Sequence, residues 1–166
     1  LKTHGGSLRI FFKKKLSNKN KITKNINLIL NKEKNNRLNH FFRFSNFEKE
    51  IRLIKKDSVN FLLDQKNKRK KIVAFGAAHK ASTFLNYCKI NKSLISHVID
   101  ETKIKIGKYM PVSRIPIVNE KFIRKFKPDF VVILIWNLKK EVMKKLKYIK
   151  KWNGKFVVFI PNLKIY

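Results

Sequence analysis

Acidic residues are scarce in this chain: 10 Asp and Glu stand against 41 Lys and Arg, a formal charge of +31. So few carboxylates leave acid–base catalysis and carboxylate-held metals poorly supplied. Cysteine is nearly missing. With Cys88 alone, an internal disulfide and a cysteine-based zinc site are excluded within the chain, and a cytoplasmic protein is the expectation. Long apolar runs are also wanting. The longest, Phe130 to Trp136, falls far short of the ~18 residues a membrane span requires, so no membrane partner is expected. Residues 1 to 15 are basic but lack a signal peptide's apolar stretch, and the first residue is Leu, so the chain reads as a piece of something longer.

What is present points to a folded core. Hydrophobic residues make up 43% of the 166, with 14 Phe, enough for one ordinary domain plus an appendage. The lysines run through every segment beside Asn, Ile and Phe and recur on the polar side of each predicted helix. This resembles an A/T-rich codon bias on a solvated surface more than a dedicated nucleic-acid site, so salt-sensitive, non-specific polyanion binding is expected. The basic spacer Lys66 to Lys71 adds little to a nucleic-acid reading in such a lysine-rich chain.

In chain order, Gly5-Gly6 turns into a β-prone Leu8 to Phe12, an orphan strand that would need partners. His4 beside that turn is a functional candidate or a plain turn histidine. Residues 15 to 44 have weak periodicity, with a short helix around Thr23 to Asn31. Ser45 and Glu48 form a capping-box pair ahead of a helix from about Asn46 to Gln65. Strands and helices then alternate: Ile72 to Phe75, helix His79 to Lys89, Leu94 to Asp100, Ile115 to Val118, helix Asn119 to Phe126, Asp129 to Trp136, helix Leu138 to Lys150 and Lys155 to Ile160. Near-continuous apolar strands alternating with helices predict an α/β, Rossmann-like, mostly parallel sheet flanked by helices. The expected division is an N-terminal remnant over 1–14, a helical linker over 15–70 and the Rossmann-like domain over 71–166.

Ligands of such sheets bind beyond the carboxyl ends of the strands, which ranks the candidates. After the first strand come Gly76, Ala77, Lys80, Ser82 and Thr83, a glycine turn and helix start suited to a phosphate. Asp100 ends the second strand, where an acid would hold a ribose hydroxyl; Tyr109 follows it, and Trp136 and Asn137 follow the fourth. Against G-x-G-x-x-G only the first glycine is present, and Ala78 replaces the second, which disfavours an NAD-type dehydrogenase. The plain alternative is a glycine that only turns and an acid that only ends a strand. Cys88 and His97 read as packing residues, His79 as a surface or anion-contacting residue, and His40 has no argued role.

Several stretches together resemble one family, the C-terminal domain of S-adenosylmethionine-dependent sugar C-methyltransferases that act on deoxysugar nucleotides. They are THGGSLRIF (Thr3 to Phe11), FGAAHKASTFLNYC (Phe75 to Cys88), VID and IGKYMP (Val98 to Asp100, Ile106 to Pro111), IPIV (Ile115 to Val118), PDFVVILIWN (Pro128 to Asn137) and GKFVVFIP (Gly154 to Pro161). Where members commonly show Gly-Ala-Pro-Ala-Lys-Gly, this chain has Gly76-Ala77-Ala78-His79-Lys80-Ala81, keeping the lysine. The resemblance implies a three-part enzyme: a zinc-binding segment, a methyl-donor domain with the catalytic residues, and a Rossmann-like domain that helps hold the sugar nucleotide. This chain would be the third part with an edge of the second. It would then carry no cofactor and no catalytic residue of its own, S-adenosylmethionine and zinc belonging to the other parts. Its partner would be a nucleotide sugar such as a dTDP-linked deoxysugar, with Lys80 meeting phosphate, Ser82 and Thr83 donating hydrogen bonds, and Tyr109 or Trp136 stacking on a base. A free-standing nucleotide or sugar-phosphate binding module, or a nucleic-acid-binding protein, are the alternatives.

Overall fold

The computed structural model describes residues 7–14 and 23–166, and the chain divides into two compact units that meet in sequence between Arg52 and Leu53. The first unit is helical, with α1 (Lys24–Asn35), α2 (Phe42–Ser45) and the start of α3 (Phe47–Asn67). Helix α1 outruns its predicted end, with Lys32 and Lys34 in the last turn where positive charge meets the negative end of the helix. Ser45 does not cap α3. It ends α2, and its hydroxyl donates to the Phe42 carbonyl at 2.7 Å, while Glu48 accepts from Arg52 at 2.5 Å. Residues 8–12, expected as a strand, lie outside the sheet and are exposed. A single strand without a paired neighbour has nothing to hold it extended. Among the described residues of this unit none is buried, and Leu28, Phe41 and Phe42 are 65%, 89% and 76% exposed.

The second unit is the predicted Rossmann-like sheet. Its strands are β1 (Ile72–Phe75), β2 (Val98–Ile99), β3 (Ile117–Val118), β4 (Phe130–Ile133), β5 (Lys155–Val158) and β6 (Lys164–Ile165), in the order 3-2-1-4-5-6. All neighbours are parallel except β6, which returns antiparallel to β5. Helices α4 (His79–Tyr87), α5 (Lys121–Phe126) and α6 (Lys139–Lys145) connect them. The expected strands shorten at their ends although apolar character continues: Ile95 and Leu134 are buried without belonging to a strand.

Successive strand residues face opposite sides, so a strand buried on both must be apolar throughout. Ile72, Ala74, Phe130 and Val132 pack on one face with Leu62 of α3 and Ala81, Phe84 and Leu85 of α4. Val73, Phe75, Val131 and Ile133 pack on the other with Ile123 of α5 and Val142 of α6. Leu62 is fully buried and fastens the C-terminal half of α3 to the sheet, a side chain whose burial is worth about 2 kcal/mol. His97 packs at a tilt against Phe122, 4.2 Å between ring centroids, and burial lowers its pKa; it is a packing residue, as expected. No helix among the described residues is long and apolar enough to cross a membrane.

Candidate functional site

In a 3-2-1-4-5 sheet the strand order reverses between β1 and β4, and their carboxyl ends open a crevice there. Both crevice walls come from sequence-predicted residues. On the β1 side, Gly76 has φ +100°, which its lack of a Cβ permits, and its amide donates to the Ile99 carbonyl at 2.8 Å. Ala78 then starts α4 from an extended conformation with no side chain capping the first-turn amides. Such unclaimed donors, with the positive end of the helix, suit an anion.

Lys80 crosses the crevice. Its ammonium donates to Asn137 Oδ1 and sits 5.0 Å from the centre of the Trp136 ring, so one side chain from the β1 turn joins the 3₁₀ turn Trp136–Leu138 that follows β4. An ammonium has three donors, and the Asn137 bond uses one. The indole face supplies the rest of the cation's setting.

Asp100 lies at the end of β2, nearly buried, and is turned into the protein. One carboxylate oxygen accepts from the Ala77 amide and the other from the Thr102 amide, both at 2.8 Å, and the Lys105 ammonium stands 3.6 Å away. Burial on its own would raise the carboxyl's pKa; the bonds from Thr102 and Ala77 and the Lys105 charge hold it below the ordinary value. Lys105 also donates to the Ala77 carbonyl at 2.8 Å.

The fold therefore brings together Gly76, Ala77, Lys80, Asp100, Trp136 and Asn137. Ser82 is half-buried one turn into α4, and the Thr83 hydroxyl donates to the His79 carbonyl of its own helix at 3.3 Å. Tyr109 pairs with Pro116 in a β-bridge and is 66% exposed. His4 lies outside the described residues. Lys105 was not singled out by sequence, since nothing distinguishes it among 41 basic residues before the fold sets it beside Asp100. Beyond the ends of β2 and β3, Asp100, Glu101, Asn119, Glu120 and Arg124 line a further cavity of about 370 Å³.

Cys88, just past α4, is buried, and burial pushes its thiol up to about 11 against a smaller opposing effect of Lys55. A thiol held protonated is a poor nucleophile. In native buffer at pH 8 it is expected to resist a thiol reagent that labels it at once in denaturant; rapid labelling of the folded chain would contradict that burial. Among the described residues no His, Cys, Asp and Glu cluster could hold a metal.

The sequence model of a family described as the C-methyltransferase C-terminal domain matches residues 2–161. The C-methyltransferase NovU of Streptomyces niveus is 32% identical over 96 residues, which cover 58% of this chain and 23% of the relative. The aligned region is thus under a quarter of that relative's length.

Proposed function

The chain belongs to the C-methyltransferase C-terminal domain family, and from that premise we propose that its second unit is the substrate-side domain of a methyltransferase acting on a carbon of a nucleotide-linked keto-deoxysugar. The observation that carries this reading is the Lys80 ammonium, set between the β1 turn and Trp136-Asn137 at the reversal of strand order. The diphosphate lies over the first turn of α4 with Lys80 against its oxygens, and Trp136 flanks the base or sugar.

This chain's part in the reaction is binding and orientation. The S-adenosylmethionine, the zinc and the base that removes a proton beside the ketone are assigned to other domains, as the resemblance to three-part enzymes implies.

A thermal-shift series with a thymidine diphosphate sugar, NAD, S-adenosylmethionine and inorganic polyphosphate tests the reading. A ligand at ~100 times its dissociation constant adds about 2.7 kcal/mol, which raises the melting temperature by several degrees. The nucleotide sugar is expected to give that shift, NAD a smaller one and S-adenosylmethionine, which carries no phosphate, none. Polyphosphate binds through the +31 charge, and a contact with six to ten phosphates loses about 10³-fold or more in affinity between 50 and 200 mM salt. A nucleotide-sugar shift that vanishes over the same salt range would reduce the site to surface charge.

A further inference from the structure

An acid at the end of the second strand of a Rossmann-like sheet is expected to hold a ribose hydroxyl, but the Asp100 carboxylate is already engaged. A carboxylate offers about four acceptor sites; here one oxygen meets both the Ala77 amide and Lys105, the other meets Thr102, and the residue is 9% exposed. Little of it is left for a ligand.

What the carboxylate does instead follows from where its bonds go. Gly76 at φ +100° makes the turn possible but, lacking a side chain, does little to fix it. Ala77 is gripped on both sides: its N–H donates to Asp100 and its carbonyl accepts from Lys105, each at 2.8 Å. In a trans peptide the C=O and the next N–H point in opposite directions. Lys105 therefore draws the Ala77 carbonyl to itself and aims the Ala78 N–H the other way. A carbonyl turned towards a bound anion would repel it, and this arrangement prevents that.

We propose that Asp100 and Lys105 form a latch that sets the turn between β1 and α4 for a diphosphate, and that the site in consequence does not read the ribose 2′-hydroxyl. The ligand class is then a nucleoside diphosphate sugar chosen through its diphosphate, ribo and 2′-deoxyribo alike. The inference rests on the nucleotide-sugar reading above and makes Asp100 and Lys105 positioning residues.

Two measurements on the full chain test it. The first is amide hydrogen exchange at Ala77, by NMR, in the wild type, Asp100→Asn and Lys105→Met. The second is calorimetric titration of the same proteins and Lys105→Arg with inorganic pyrophosphate, uridine diphosphate glucose and its 2′-deoxy analogue. The wild type is expected to bind the two nucleotide sugars within about threefold of each other, and Asp100→Asn and Lys105→Met to weaken all three ligands by a common factor of roughly tenfold, with Lys105→Arg restoring most of it. Ala77 protection falls in the variants. Should Asp100→Asn weaken only the ribo ligand, or the wild type prefer ribo to deoxyribo by more than about tenfold, Asp100 holds the hydroxyl after all and the proposal is overturned. Unchanged Ala77 protection in Asp100→Asn and Lys105→Met overturns the latch itself. Failure of the wild type to bind any of the three ligands, with protection still lost in the variants, overturns the nucleotide-sugar reading and the selectivity drawn from it, leaving the latch as a feature of the fold.

Discussion

Replacing Lys80 by alanine is expected to lower affinity for a nucleoside diphosphate sugar by roughly 10- to 100-fold, the loss of a charge-assisted hydrogen bond worth about 1.5–3 kcal/mol. The stability of the chain should change little in comparison. Lys80 is half-buried, and its Asn137 bond and its approach to Trp136 join two turns that the β1–β4 pairing already holds side by side. The substitution therefore separates binding from folding. Calorimetric titration gives the first quantity and thermal unfolding the second. Lys80→Arg keeps the charge but spreads it over a planar fork that has to fit between Asn137 and the indole, so it is expected to recover only part of the affinity. Full affinity in Lys80→Ala would move the anion elsewhere and remove the observation on which the functional reading stands.

Much of this geometry was legible because the sheet announces itself. Ile72 to Phe75 and Phe130 to Ile133 are apolar at every position, which only a strand covered on both faces requires, and the 3-2-1-4-5 order then makes Lys80 a neighbour of Trp136 and Asn137 although 57 positions separate Lys80 from Asn137. The short edges were not legible. Lys164–Ile165 is a two-residue strand with both residues exposed, too brief to show a period, and it is held beside β5, where Phe156 exchanges backbone bonds with Tyr166 at 3.1 and 2.9 Å. Ser45 and Glu48 had a capping-box spacing, but each found another partner within reach, Phe42 and Arg52. The turn's polar partners were half legible. Asp100 was picked out by its place after β2, whereas its engagement with Ala77, Thr102 and Lys105 depends on how the segment after β2 folds back, and no spacing encodes that.

Gly76→Ala is expected to destabilise the second unit by about 2–4 kcal/mol, because two penalties meet at one atom. Its φ of +100° is one that L residues rarely adopt, and a Cβ built there would come 2.7 Å from Ile135 Cγ2, closer than carbon atoms pack. Ile135 cannot easily yield. It leaves β4 at the carboxyl end, packed against the buried cluster that includes Val73, Phe75 and Ile133, so moving it shifts the Trp136–Asn137 turn as well. Gly107 separates the two penalties within the same chain: its φ is +81°, also strained for alanine, but an added Cβ would have nothing within 4 Å. Gly107→Ala should then cost only the backbone share, about 1 kcal/mol, and the difference between the two variants measures the overlap with Ile135. Thermal and urea unfolding give both values, and a fall of roughly 10 °C in melting temperature is expected for Gly76→Ala against a few degrees for Gly107→Ala. Ile135→Ala combined with Gly76→Ala should recover part of the loss through a favourable coupling of about 1–2 kcal/mol, since the overlapping atoms are gone while the φ strain remains. Equal costs at the two glycines, or no coupling to Ile135, would show that the close approach of the β1 turn to the end of β4 is not what demands glycine at position 76.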